Sequence, residues 1–218
     1  MSCTVKGEGR SEYVEKKSRF LGVLYPATTE EEAQDFIKAV KKEHYSARHN
    51  CYAYIIEGDS ESGSGHIARS SDDGEPGGTA GRPILEAMEY KGVTNGVLVV
   101  TRYFGGVLLG TGGLTRAYGQ AAKEAIEDAS LLERIYGHRI TIRTDYTGYG
   151  KVEYILRQGN YPIVDTQYDD GVTVDCVCPE ADAKALADRI VDETSGTADV
   201  SVSDPLYYGL TENKVEFL

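Results

Sequence analysis

The chain has 218 residues, of which 40% are apolar and 27% are charged, and its formal net charge is -12 at pH 7. This apolar content supports one or two folded domains, and no apolar run approaches the ~20 residues that span a membrane. The acidic balance argues against general affinity for nucleic acid, which requires Lys and Arg to neutralise phosphates. The amino-terminal segment has no hydrophobic signal region, so we expect a cytoplasmic protein without a membrane partner or a DNA partner.

The first part of the sequence alternates between strand and helix patterns. Thr29 and Glu32 form a capping box, which starts a predicted helix that ends near Glu43. A polar turn is predicted at residues 58–65, and a loop rich in Asp, Gly and Pro at residues 70–83. The other predicted elements are strands at residues 11–17, 19–27, 48–57, 66–70 and 93–101 and helices at residues 83–90 and 113–129.

The second part predicts a separate small domain whose elements follow the order βαββαβ of a ferredoxin-like domain. The boundary falls near residues 131–136, so we expect domains at residues 1–132 and 133–218. Residues 1–135 hold 16 basic and 20 acidic side chains (net -4), and residues 136–218 hold 7 and 15 (net -8). The first domain is therefore the better candidate for contacting phosphate. The predicted elements are strands at residues 135–145, 160–167, 172–177 and 198–208 and helices at residues 149–158 and 180–192.

A glycine-rich loop is the most informative feature of the sequence. It follows the apolar run VLVV, precedes an alanine-rich helix, and has no acidic residue from Thr101 to Lys123. Glycines let backbone N–H groups converge on a ligand, and a helix start adds free donors, so the loop is suited to an anion. Tight turning and close packing are the alternative explanation, since neither a Walker nor a Rossmann pattern is present. The predicted anion-binding residues are Arg102, Gly105, Gly106, Gly112, Gly113, Thr115 and Arg116.

A second loop carries three carboxylates, from Asp72, Asp73 and Glu75, among glycines. Such carboxylates could hold Mg²⁺ or act as a general base, although a solvated turn is the simpler interpretation. Arg82 could contribute to an anion site or bridge to these acids. Because both loops connect strand to helix, we expect them to form one cleft, with donors on one side and carboxylates on the other.

The cysteines and histidines favour packing over chemistry. His49 and Cys51 share a strand face and could form an activated nucleophile, but Cys51 continues an apolar face that predicts burial. Cys176 and Cys178 also continue an apolar face, and no cysteine pair has zinc spacing. We therefore expect neither a metal nor a cofactor, and Cys51 to be dispensable for binding.

Three segments together resemble the IMPACT family, in its bacterial YigZ-like branch: YSARHNCYAYII (residues 45–56), SDDGEPGGTAGRPIL (71–85) and VVTRYFGGVLLGTGGLTRAYGQAA (99–122). The resemblance implies a mixed α/β fold of two domains. The first would be an α/β sandwich of the ribosomal-protein type, similar to domain IV of elongation factor G and to small-molecule kinases. The second would be ferredoxin-like, similar to domain V. The loop lacks the serine-rich pattern of the kinases, so ATP hydrolysis is not expected.

The resemblance also implies a role. Eukaryotic members regulate translation by interfering with activation of a kinase that responds to amino-acid starvation, through an additional amino-terminal domain that we do not expect here. We therefore expect a non-enzymatic regulator of translation or stress response that binds RNA, the ribosome or another phosphate-bearing ligand through its first domain, while the acidic second domain faces a protein. Two alternatives stay open: an enzyme acting on a phosphorylated metabolite or nucleotide, and a protein-interaction module.

Overall fold

The computed structural model describes residues 2–57, 66–211 and 214–218, and the polar turn expected at residues 58–65 lies outside them. The chain divides into two compact units, Met1–Glu133 and Arg134–Leu218. Among the described residues, no helix is long and apolar enough to cross a membrane.

The first unit is built on a five-stranded antiparallel sheet. A short parallel pair, β1 (Ser2–Gly7) and β6 (Val93–Thr94), adds a second strand ladder. The sequence patterns did not predict β1. The sheet strands, in spatial order, are β2 (Gly9–Glu15), β3 (Ser18–Pro26), β7 (Gly96–Tyr103), β4 (His49–Ile56) and β5 (Ile67–Ser71).

Helices cover both faces of this sheet. The helix α1 (Glu30–Glu43) packs Ala33, Ile37 and Val40 onto one face, and Thr29 caps it by accepting from Glu32 N, as the capping box predicts. The helices α2 (Gly81–Tyr90) and α3 (Gly110–Asp128) pack on the other face. The apolar run in β7 contributes side chains to the cores on both faces of the sheet, since successive side chains in a strand point to opposite faces.

Close packing of α3 on the sheet depends on two glycines. A Cβ on Gly9 would lie 2.2 Å from the carbonyl oxygen of Ala125, and one on Gly22 would lie 2.9 Å from that of Ala121. The small side chains of α3 let its backbone approach the strands to this distance. The helix is thereby fixed directly against β2 and β3.

Both α2 and α3 begin earlier than the sequence predicts. Pro83 lies in the first turn of α2, where its missing N–H costs nothing because the first N–H groups of a helix have no intrahelical partner. The helix α3 begins at Gly110, three residues before the predicted start. Glycine has low helix propensity, which disfavours Gly110 and Gly112 as helical residues, and the tertiary structure overrides this preference.

The second unit has the predicted ferredoxin-like order. The strands β9 (Ile163–Tyr168), β10 (Val172–Pro179), β8 (Ser130–Thr144) and β11 (Asp199–Val202) neighbour one another in that order, all antiparallel. Their core residues pack against side chains of α4 (Tyr146–Gln158) and α5 (Ala183–Glu193), and a 3-10 turn (Glu180–Asp182) precedes α5. The mixed α/β class with a ferredoxin-like second domain is confirmed.

The predicted last strand, residues 198–208, is two strands. After β11 the chain bends, and β12 (Leu206–Leu210) then pairs with an earlier part of β8 and with β13 (Val215–Phe217). Pro205 lies at this break, and proline has no N–H to donate to a strand ladder.

Cys51 provides a test of the first core. It has no exposed surface, its thiol donates to the carbonyl oxygen of Asp72 at 2.9 Å, and burial raises its pKa to about 12. We predict that Cys51→Ala lowers the free energy of unfolding by about 1 kcal/mol or more, as measured by urea denaturation. The thiol should resist a mild thiol reagent in the folded protein. Cys3→Ala, at a partly buried position, is the control. Rapid labelling of Cys51 would contradict the structural role of Cys51.

Candidate functional site

The carboxylate of Asp72 organises the acidic loop. It accepts hydrogen bonds from the backbone N–H groups of Gly78 at 2.8 Å and of Ala80 and Gly81 at 2.9 Å. Burial acts to raise the pKa of Asp72, but these backbone donors outweigh it and lower the pKa. The side chain of Asp72 therefore satisfies the first N–H groups of α2, whose own N-cap residue is Ala80.

Asp73 attaches the loop to the neighbouring elements. Its side chain accepts from Lys41 Nζ at 2.6 Å and from the backbone N–H of Asn50 at 2.7 Å. Its carbonyl oxygen lies 2.9 Å from Nδ1 of His49. Asp73 has a positive φ of 44°, which Asp tolerates better than most residues. His49 and Asp73 thus hold the loop against β4 and α1.

Glu75 forms the buried centre of the loop. Its Oε1 accepts from Arg102 NH1 at 2.6 Å and from the Tyr118 hydroxyl at 2.8 Å. The Glu75 and Arg102 side chains are only 4% and 7% exposed. Burial, with contributions from Cys51 and Glu75, raises the pKa of Tyr118, so its hydroxyl stays a donor. One carboxylate therefore joins the loop to β7 and α3.

These contacts correct several expectations from the sequence. Arg102 is an internal partner of Glu75 rather than an exposed anion-binding group. The three carboxylates point to different partners, and in the described part of the chain no group of three or more His, Cys, Asp or Glu side chains could hold a metal ion. The acidic loop therefore does not form the carboxylate side of an open cleft. Arg82 is exposed and pairs with Glu86 at 2.7 Å.

The glycine loop faces a different partner, the hairpin between β2 and β3. A cavity of about 320 Å³ lies between the hairpin and α3, and the hairpin contributes Lys16 and Glu15 while α3 contributes Arg116. This volume lies at the lower end of the range for small-ligand sites, roughly 300–1,000 Å³. The remaining lining residues are Tyr13, Leu109, Gly113, Ala117 and Gln120. Of the predicted anion-binding residues, Gly113 and Arg116 line this cavity.

The sequence patterns missed the hairpin as part of the site. Lys16 and Lys17 form its tip, with positive φ values of 46° and 68°. Two left-handed residues fit the tight turn of a two-residue hairpin, whose usual signal is Asn-Gly or Asp-Gly. A Lys-Lys pair carries no such signal, so the two lysines were not predicted to lie at a turn.

The other loop residues have structural explanations. Gly105 donates its N–H to Ser18 Oγ at 3.1 Å, and a Cβ there would lie 2.0 Å from the carbonyl carbon of Lys17. Gly106 has a positive φ of 83°. The hydroxyl of Thr115 turns back to the carbonyl oxygen of Thr111 at 3.1 Å. Gly105 thus presses the loop against the hairpin.

The first turn of α3 is open to solvent. Leu109 is its N-cap residue and makes no side-chain hydrogen bond to the helix, and the first turn contains no acidic residue. Gly112 is exposed, and a Cβ there would meet only Arg116 NH1, at 3.7 Å. The positive end of the helix dipole thus lies beside the cation of Arg116.

The fold places this chain in the class of two-domain α/β proteins. In this class member, a helix-covered antiparallel sheet is followed by a ferredoxin-like unit. Family models match it twice: the Impact N-terminal domain over residues 16–126 and a domain of unknown function (DUF1949) over residues 142–197. The chain belongs to the IMPACT family, as its motifs predict.

Two relatives cover most of the chain. The IMPACT family member YvyE of Bacillus subtilis (strain 168) is 38% identical over 213 residues, which are 98% of this chain and 96% of YvyE. The IMPACT family member YigZ of Escherichia coli (strain K12) is 34% identical over 182 residues, which are 84% of this chain and 88% of YigZ. A solved structure described as a hypothetical protein is 31% identical, with a TM-score of 0.56 over 91% of this chain and 95% of its own.

The buried ion pair gives a stability prediction. Glu75→Ala should lower the free energy of unfolding by about 3–5 kcal/mol, because it leaves the Arg102 charge buried without its partner. Glu86→Ala removes the exposed partner of Arg82 and should cost at most about 1 kcal/mol. Urea denaturation of the two variants measures the difference. Equal stabilities would show that the Glu75–Arg102 pair does not hold the loop.

Proposed function

We propose that this chain regulates translation or a stress response in the cytoplasm by binding RNA, free or in the ribosome, through its first unit. The observation that carries the proposal is the cavity in which Lys16 and Arg116, from two separate elements, line the same space. The family resemblance supports a role in translation. The geometry favours binding over catalysis.

Electrostatics supports an anionic ligand at this cavity. Residues 101–123 contain no acidic side chain in a chain of net charge -12. The side chain of Arg116 is exposed, and the N–H groups at the start of α3 favour negative charge. A phosphate placed between Lys16 and Arg116 would meet cations from two directions.

Glu15 favours a ligand that carries a hydrogen-bond donor beside its phosphate. Its carboxylate lines the same cavity and accepts from the Tyr13 hydroxyl at 3.3 Å. A bare anion would be repelled by this charge, whereas a ligand with a hydroxyl beside its phosphate could donate to it. The ribose 2′-hydroxyl of RNA is such a group, and it distinguishes RNA from DNA.

The alternative of an enzyme acting on a phosphorylated metabolite finds less support. It required Asp72, Asp73 or Glu75 as a metal ligand or general base. Their carboxylates are bonded to backbone N–H groups, to Lys41 and to Arg102, respectively. A carboxylate that is engaged in this way is not presented to a substrate.

Binding of a labelled single-stranded RNA, followed by fluorescence anisotropy, tests the proposal. Arg116→Gln and Lys16→Gln should each weaken binding by ~1.5–3 kcal/mol, the usual value of a hydrogen bond to a charged group. Each substitution should also reduce the slope of log affinity against log salt concentration by about 1, as expected for the loss of one phosphate contact. Thermal unfolding should be unchanged, because both side chains are exposed.

Arg82→Gln is the matched control, since Arg82 is an exposed arginine of the same unit. It should leave RNA affinity unchanged. Glu15→Gln should reduce the ratio of the affinity for RNA to the affinity for DNA of the same sequence. Absence of RNA binding, or equal effects of Arg82→Gln and Arg116→Gln, would overturn the proposal.

A further inference from the structure

We propose that Phe104 is a stacking platform for one unpaired RNA base, next to the cavity that receives phosphate; this inference rests on the proposed function. Phe104 is 49% exposed although it follows the buried strand β7. Exposed aromatic rings beside a basic groove are the usual means by which proteins hold single-stranded nucleic acid.

The ring of Phe104 is positioned by a buried cation. The guanidinium carbon of Arg102 lies 5.4 Å from the Phe104 ring centroid and 5.5 Å from that of Phe20. Arg102 itself cannot move freely, because it is 6% exposed and bonded to Glu75 at 2.6 Å. A cation over the ring fixes its orientation, while the exposed part of the ring stays free to receive a base.

The register of the sheet places this ring beside the basic hairpin. Arg19 of β3 pairs with Tyr103 of β7, so Phe104 continues the chain opposite Ser18. The next residue, Gly105, bonds to Ser18 Oγ and approaches the backbone of Lys17. The stacking surface is therefore adjacent to the hairpin whose Lys16 lines the phosphate cavity.

The charge around Phe104 favours a nucleic acid over a protein partner. Lys16, Lys17 and Arg19 surround the hairpin tip, and only Arg19 has an exposed carboxylate partner, Glu12, at 2.8 Å among the described ion pairs. An apolar protein surface would bury these charged groups at a cost. A single RNA strand instead supplies phosphates for the cations and a flat base for the ring.

The absence of tryptophan from the chain makes a direct test available. Phe104→Trp introduces a single indole at the proposed platform, and octauridylate should quench its fluorescence. Tyr90→Trp, at a position 88% exposed on α2, is the control and should not be quenched. An abasic octamer with the same phosphates should leave both indoles unquenched.

Affinities complete the test. Wild-type protein should bind octauridylate at least about fivefold more tightly than the abasic octamer, the lower end of the range for stacking of one base. Phe104→Leu should remove this preference for octauridylate and leave the affinity for the abasic octamer unchanged. The inference is overturned if RNA binds but Phe104→Leu preserves the ratio, or if an acidic peptide quenches the indole at position 104 and RNA does not. RNA failing to bind at all would instead overturn the proposed function.

Discussion

The buried pair of Glu75 and Arg102 connects the acidic loop of the first unit to β7 and, with Tyr118, to α3. A single carboxylate oxygen accepts from β7 through Arg102 and from α3 through Tyr118, at 2.6 and 2.8 Å. Taking both charges out of water costs several kcal/mol each, and only good geometry and additional hydrogen bonds offset that cost. The second donor and the flanking rings of Phe20 and Phe104 supply this environment. Loss of either charged partner would leave the other buried and unpaired.

The Glu75–Arg102 pair distinguishes the roles of the acidic loop and the glycine loop, whose sequences look equally suited to binding a ligand. The acidic loop turns its carboxylates inward, where they cap α2, hold β4 and neutralise Arg102. The glycine loop turns outward, because Gly105 presses it against the hairpin and Arg102 supports Phe104 from below the surface. Beside the glycine loop, exposed positive groups belong to Arg116 and to the Lys16–Lys17 turn.

The second unit has a different electrostatic character. Its net charge of -8 from residue 136 onward makes it the poorer surface for RNA. Its thiols lie in the core, and burial raises the pKa of Cys176 to about 12 and that of Cys178 to about 11. Asp175 is held by Arg139 and Thr141, which lower its pKa against the effect of burial. These groups therefore stabilise the fold of the second unit.

The sequence by itself determined the elements that depend on near neighbours. The start of α1 follows from Thr29 and Glu32, the burial of β7 follows from its apolar run, and the long motifs identify the family. The βαββαβ order of the second unit also follows from local periodicity. Only the tertiary structure decided that Glu75 pairs with Arg102, 27 residues away, and that Lys16 shares a cavity with Arg116. The first depends on the pairing of β5 with β4 and of β4 with β7, and the second depends on the packing of α3 against β2. Both bring together residues that no local pattern relates.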